Sequence, residues 1–166
     1  MPLIVVVAGR YSGTWSGADV GIATDQGYVL TYVTHGEVVN RTDAYAQTTI
    51  EGIYQGADFS LQFVSKEYKT GSVRPSWPWG NDGSTLGFRL GVIGRRWTDV
   101  AQAMVLTSTA GTPAAAAPTS LTASLTIVSP NSNTDLSFTS KVREVPVKLT
   151  LIPDLVSSNV IWYSVT

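Results

Sequence analysis

The chain has 166 residues and a formal net charge of -1, and charged residues make up 14% of it, against about 25% in an ordinary soluble domain. The small net charge gives no electrostatic case for nucleic-acid binding. The absence of cysteine excludes disulfides, cysteine-ligated zinc and thiol catalysis. The length predicts a single domain, residues 1–166, with a substantial core. The low charge fits either a subunit that is surrounded by copies of itself or a monomer with an apolar surplus.

The first part of the chain predicts several strands. Residues 3–8 are apolar but too few to cross a bilayer, and they lack the charged start and the cleavage site of a signal peptide. We therefore expect a buried first strand, no membrane contact and synthesis in the cytoplasm. Residues 11–15 and 20–23 predict weak or short strands. Residues 28–34 are rich in aromatic and β-branched side chains, which predicts a strong strand.

The middle of the chain predicts one long strand between two irregular segments. Residues 40–51 are polar and follow no clean period, so we expect an ordered loop. Apolar and polar side chains alternate along residues 58–63, which predicts a strand over residues 57–69. Residues 70–94 are dominated by glycine, proline and tryptophan. Irregular links of that length are unusual in a compact domain and often serve function or contacts. A short strand is expected within them at residues 86–93.

One helix is predicted next. Apolar side chains recur at helical spacing, at i, i+3, i+4, i+7 and i+8, and the residues concerned are Trp97, Val100, Ala101, Met104 and Val105. Residues 107–119 combine small residues with prolines and predict a linker.

The last part of the chain predicts four strands, at residues 121–127, 136–142, 145–152 and 160–165. Pro146 places the third of these at an edge or interrupts its hydrogen-bond ladder. The complete pattern predicts a mainly β fold, a sandwich or barrel of about eight strands with one short flanking α-helix and long loops.

The sequence offers little that predicts chemistry. His35 is the only histidine, and the acidic residues are scattered, so neither a catalytic triad nor a metal site is indicated. The glycine-rich stretches lack the lysine and the strand-to-helix setting of a phosphate-binding loop. We therefore expect no catalytic residues, no metal, no cofactor and no enzymatic activity.

Trp77 and Trp79 are the sharpest functional candidates. Aromatic side chains on a loop rich in glycine and proline can anchor a protein interface or stack on sugars. They can equally cover an open end of the core. The pair Arg95 and Arg96 is too small to indicate nucleic-acid binding.

The order of several segments resembles the major tail tube proteins of tailed bacteriophages. The resemblance spans about residues 20–166 and is carried by loose patterns. They are Gly27-Tyr-Val-Leu, Gly36-Glu-Val-Val-Asn, the polar link from Asp43 to Gly56 that leads into Ala57-Asp-Phe-Ser-Leu-Gln-Phe, Ala103-Met-Val-Leu-Thr, Val142-Arg-Glu-Val-Pro-Val-Lys-Leu-Thr and Leu151-Ile-Pro-Asp.

The resemblance implies a virion protein of the phage tail that assembles into hexameric rings. The rings stack into a hollow tube, which the tape measure protein occupies during assembly and through which DNA passes without specific binding. Other tail proteins are further partners. Family interfaces lie on strand edges and long loops, which correspond here to residues 40–51 and 70–94. The residues expected at interfaces are Arg41, Asp43, Tyr45, Gln47, Arg74, Trp77, Trp79 and Asn81. The tryptophan-rich loop 74–83 has no counterpart in the family pattern.

Three other hypotheses stay open. A tail terminator, neck or baseplate protein would share the fold but form one or a few rings. A β-sandwich module could bind carbohydrate or a host surface through Trp77 and Trp79. An enzyme with a dispersed acidic site is the third hypothesis.

Overall fold

Strands dominate the computed structural model, which describes residues 11–41, 48–79, 90–109, 120–129, 144–156 and 160–165. The elements in chain order are β1 (Tyr11–Trp15), β2 (Ala18–Asp19), β3 (Val29–Arg41), β4 (Thr48–Ser65), α1 (Thr70–Ser76), a 3-10 turn (Trp97–Asp99), β5 (Gln102–Ser108), β6 (Ser120–Val128), β7 (Val145–Ile152) and β8 (Trp162–Val165). The prediction of a mainly β fold is confirmed.

All of these strands belong to one antiparallel sheet. Seven of them follow the order β2-β1-β5-β6-β7-β4-β3, and β8 lies beside β6. One edge of β6 pairs with β5, and the other is divided, because residues 120–123 pair with β8 and residues 125–128 pair with β7. The sheet is not closed into a barrel, since β2 and β3 are the two ends of the path.

The sheet curls so that its two ends meet over one core. Trp15 and Val20, near one end of the strand path, share a hydrophobic cluster with Leu61 and Phe63 near the other. The Ser65 hydroxyl donates to the Val20 carbonyl at 2.9 Å, and an isolated bridge joins Ala23 to Ser65. The main core therefore lies inside the curl, between strands that are distant in the sheet order.

Strand β7 shows the alternation that the sequence predicts. Val145, Val147, Leu149 and Leu151 are buried and face the core cluster. Pro146 pairs with Val64 on β4. On its other side β7 pairs with β6 only over residues 149–152, so the missing N–H of Pro146 leaves no strand ladder incomplete.

The predicted helix at residues 97–105 is wrong. A 3-10 turn covers Trp97–Asp99, and β5 begins at Gln102. Within β5, Met104 and Leu106 are buried, so the strand period of two governs burial there. Since β5 pairs with β1 on one side and β6 on the other, the two ladders outweigh the weak preference for a short helix.

The helix forms instead in the segment predicted to be irregular. Ser72 and Val73 in α1 are completely buried, and the Lys69 amide donates to the Ser72 hydroxyl at 3.0 Å. Gly71 lies so close to the Asp19 carbonyl that a side chain there would collide with it. Only a glycine allows α1 to pack this tightly on β2.

Other sequence predictions differ in extent. The strand predicted at residues 28–34 continues to Arg41, and β4 begins at Thr48, so residues 40–41 and 48–51 of the predicted loop are strand. Residues 42–47 lie outside the described residues. Residues 90–93 form no strand. The strands predicted at residues 3–8 and 136–142 lie outside the described residues.

Tyr28 places a phenol in the core, where its hydroxyl lies near the Gly13 backbone but makes no hydrogen bond of good geometry with a described residue. Its ring lies 5.1 Å from that of Phe63, and its oxygen occupies space that a side chain at Gly13 would fill. Burial, followed by the nearby Asp19 carboxylate, raises the pKa of Tyr28 to about 12 from an ordinary value of 10.0. The folded state thus keeps a proton that the unfolded state loses as the pH rises between these two values.

We expect Tyr28→Phe to be neutral or stabilising at pH 7, because it removes a buried hydroxyl without a partner. Above pH 10 the wild-type chain should lose stability as the unfolded-state phenol ionises, and the phenylalanine variant should lose less. Urea unfolding of both chains at pH 7 and at several values above pH 10 measures the difference. The pKa of Lys69 is raised by hydrogen bonds to Asp19 and Glu67. The stability that is lost when Lys69 deprotonates at alkaline pH is therefore the same in both chains. Equal slopes for the two chains above pH 10 would refute the role of Tyr28.

Candidate interaction surfaces

Two surfaces stand out among the residues that the structure describes. Among them no three side chains of the metal-binding types lie together, and no helix has the length and apolar character needed to cross a membrane. His35 contacts a carboxylate, since its Nε2 lies 2.7 Å from an Asp58 oxygen. Both side chains are half or more exposed, and the pair lies on a strand hairpin away from the core.

The most prominent surface is a projecting hairpin, which we call the arm. It comprises residues 33–41 of β3 and residues 48–58 of β4, which pair with each other along their length. The next strand, β7, pairs only with Phe59–Ser65 of β4, and no described strand covers the outer edge of β3. At about 3.3 Å per residue, the eleven residues of β4 in the arm extend roughly 30 Å beyond the sheet.

One face of the arm is apolar. Successive side chains of a strand alternate between faces, so the core-facing side of β3 at Leu30 continues outward through Tyr32 to Val38. In the observed register Tyr54 lies opposite Gly36, and Val38 lies opposite Gly52. Tyr54 is 71% exposed and Val38 is 56% exposed. Each large side chain faces a glycine, which leaves a flat apolar strip with accessible backbone.

The other face of the arm carries the acidic side chains, together with Val33 and Ile53, which are 55% and 56% exposed. Glu37 on β3 pairs with Ile53 on β4, and Glu51 precedes Ile53 by two residues on β4. Asp58 pairs with Val33, which lies on the same face of β3 as Glu37. The three carboxylates therefore share one face of the arm. All three carboxylates are exposed. The register shifts between His35 and Gly36, so β4 has one extra residue there. Gly56, which pairs with His35, adopts a φ of 137° that favours glycine.

A second surface is a groove of about 260 Å³ at the base of β1 and β5, which we call the arginine groove. Its cations are Arg74 from α1 and Arg95 from the segment before the 3-10 turn, and Asp99 lies beside them. Neither arginine forms an ion pair with another described residue. The groove thus has one more positive than negative side chain.

Buried hydrogen bonds hold the floor of the arginine groove. The indole N–H of Trp15 donates to the Thr126 hydroxyl at 3.0 Å, and that hydroxyl donates to the Gln102 carbonyl at 2.8 Å. Ser16 on the rim donates to the Gln102 side chain at 3.1 Å. Because Thr126 is completely buried, these bonds fix β1, β5 and β6 relative to one another, and the groove is preformed.

The arm and the arginine groove lie in opposite directions along the strands. The groove lies at the start of β5, beside Gln102 and the end of β1. The three pairings in the series β4–β7–β6–β5 are antiparallel, so β4 runs opposite to β5. Because the arm contains the start of β4 and the groove lies at the start of β5, the two surfaces lie at opposite ends of the strands. The arm of one chain therefore points away from its own groove.

The two candidate tryptophans follow the C-terminal end of α1, on either side of Pro78, which lines the arginine groove. Trp77 caps α1, where its amide donates to the carbonyls of Val73 and Arg74 at 3.1 and 3.2 Å. Trp79 is half-buried and packs against a second hydrophobic cluster that contains Val100 and Ile127. This packing favours the hypothesis that Trp79 covers part of the hydrophobic core.

We expect Trp79→Ala to lower the free energy of unfolding by about 1–3 kcal/mol, because it uncovers part of the second cluster. Thermal and urea unfolding measure this loss. Trp97→Ala is a matched control, since that tryptophan is 40% exposed and belongs to neither cluster. If Trp79→Ala left stability unchanged but removed binding to a glycan array, the carbohydrate hypothesis would replace the packing role.

The residues predicted to form interfaces are not brought together. Arg74 lines the arginine groove, and Trp77 and Trp79 lie at the end of α1 and on the second cluster. Arg41 ends β3, where it pairs with Thr48 at the far end of the arm. The remaining predicted residues lie outside the described residues, and they are Asp43, Tyr45, Gln47 and Asn81.

Sequence reasoning missed the exposed side chains of the arm. The available signal was the position of Gly36 and Gly52 beside Val38 and Tyr54, since glycine inside a strand marks a bulge or a close approach of another backbone. It also missed the arginine groove, whose residues are far apart in the chain and meet only in the fold.

Fold and surfaces together define a curled antiparallel sheet that carries an amphipathic hairpin arm. No protein-family model matches the chain, and no curated protein matches its sequence.

Proposed function

We propose that the chain is a structural subunit that assembles with copies of itself into the tail tube of a bacteriophage. The exposed apolar face of the arm is the observation that carries the proposal. An apolar strip on a projecting hairpin is unfavourable in water, and no strand that the structure describes covers it, because β7 pairs only with residues 59–65 of β4.

The outer edge of β3, which no described strand covers, supports the same proposal. A long unpaired edge strand is a template for pairing with another chain, and at thirteen residues β3 is long for such an edge. Pairing with a neighbouring copy would satisfy the edge and cover the apolar strip in one step. Identical subunits joined through two different surfaces form a closed ring or an open filament.

The assignment to a phage tail rests on the sequence resemblance. In that setting six copies form each ring, rings stack into a tube, and the tape measure protein and then DNA occupy the channel. A net charge of -1 suits a channel that lets DNA pass, because fixed cations bind the phosphate backbone. The subunit then acts by assembly, and we propose no enzymatic activity for it.

Size-exclusion chromatography with light scattering tests self-assembly across a range of protein concentrations. A tube subunit should give assemblies whose mass keeps rising with concentration, because stacking has no fixed end point. A constant mass of one ring would support the terminator, neck or baseplate role instead. A constant monomer mass at every concentration would refute the proposal and direct attention to the binding-module hypothesis.

A further inference from the structure

We propose that the acidic face of the arm of one copy binds in the arginine groove of the next copy. This inference rests on the proposed self-assembly, and it names the two surfaces that meet. The occupant is a second copy of this chain rather than a separate ligand, because the chain itself carries a surface of complementary charge and sufficient reach.

Charge complementarity is the first argument. The strands of the arm contain the carboxylates Glu37, Glu51 and Asp58 and one guanidinium, Arg41. Asp58 already contacts His35, so Glu37 and Glu51 are the carboxylates available to a neighbouring chain. The groove contributes two guanidinium groups and one carboxylate. Guanidinium groups form paired hydrogen bonds with carboxylates, which adds geometric selectivity to the attraction.

Direction is the second argument. The arm points away from the groove of its own chain, so the two surfaces meet only between copies. Such a contact joins unlike surfaces, and it leaves a free arm at one end of the pair and a free groove at the other. Each added copy therefore offers a new binding surface, as an open-ended stack requires.

Shape is the third argument. A two-stranded hairpin that extends roughly 30 Å can reach across a neighbouring domain of ordinary size. The groove has an aromatic floor at Trp15 and polar walls at Ser16 and Gln102, and the hydrogen bonds below the floor hold it open. The acidic face can then meet the arginines while the apolar face remains available to cover a neighbouring sheet.

Charge reversal tests the inference. One variant carries Arg74→Glu and Arg95→Glu in the groove, and the other carries Glu37→Arg and Glu51→Arg in the arm. We expect each variant alone to require a protein concentration about tenfold higher, or more, before it assembles. The equimolar mixture should assemble near the wild-type concentration, because each basic arm meets an acidic groove and each acidic arm meets a basic one. A single chain with all four changes should recover in the same way.

Controls separate charge effects from misfolding. Lys148→Glu and Glu144→Arg change exposed charges outside both surfaces, and we expect them to assemble as the wild type does. Because Arg74 is half-buried in α1, Arg95→Glu alone serves as the milder groove variant. Circular dichroism and urea unfolding verify that every chain folds.

Three outcomes would overturn the inference. The reversed variants could assemble at the wild-type concentration, or folded variants could fail without recovery in the mixture and in the four-fold chain. Inorganic phosphate could also bind the wild type and not the groove variant while assembly stays unchanged, which would make the groove an anion site. In each case the wild type still assembles, so the proposed function survives. Failure of the wild type to assemble would refute both.

Discussion

Substitution of Val38 and Tyr54 by glutamate should abolish assembly and leave the free energy of unfolding almost unchanged. The two side chains are 56% and 71% exposed in the isolated chain, and changes at such positions usually alter stability by no more than about 0.5 kcal/mol. In an assembly the same side chains become buried, where each contributes about 1.5–3 kcal/mol. A carboxylate buried there without a partner adds a further penalty. Chromatographic mass and urea unfolding measure the two effects on the same samples.

A matched control uses exposed apolar residues elsewhere. Leu155 and Val156 are 78% and 96% exposed and follow β7 rather than the arm. Their replacement by glutamate removes a comparable apolar surface and adds the same charge, and we expect assembly to persist. Equal loss of assembly in both pairs would show that net charge, and not the arm, controls association.

The largest loss of stability is expected from Leu149→Ala. This side chain is completely buried, and its backbone pairs with Leu61 on β4 and with Val128 on β6. Truncation leaves a cavity that the two flanking strands cannot easily close. The free energy of unfolding should fall by about 2–5 kcal/mol, which is a large part of the stability of a typical domain.

The neighbouring position provides the control for this prediction. Lys148 is exposed on the opposite face of β7, so Lys148→Ala should alter the free energy of unfolding by about 0.5 kcal/mol or less. Urea unfolding at a concentration where the chain is monomeric gives both values. A loss below about 1 kcal/mol for Leu149→Ala would mean that the core inside the curl is loosely packed.

Where one face of a strand is buried, the sequence predicted the structure well. The alternation in β7 and in the second half of β4 reports burial directly, because Leu61 and Phe63 face the core and Gln62 faces solvent. The predicted helix failed because apolar residues near Trp97 satisfy helical spacing by coincidence. Pairing of β5 with two neighbours then decided the conformation, and that pairing depends on strands far away in the chain.

The arm was not predictable from periodicity. Neither face is buried along residues 51–58 in the single chain, so no buried face imposes alternation there. The arginine groove was hidden for another reason. Its residues Trp15, Arg74 and Arg95 are separated by many positions and meet only because α1 packs on the sheet, against β7, β2 and β1.

Negative-stain electron microscopy of the concentrated wild-type chain, beside the variant with glutamate at positions 38 and 54, tests the central claim most directly. Assembly into a tail tube predicts hollow tubes of open-ended length with six-fold end views for the wild type, and dispersed particles for the variant. Dispersed wild-type particles at every concentration, or identical tubes from both chains, would contradict the account of an arm that drives self-assembly.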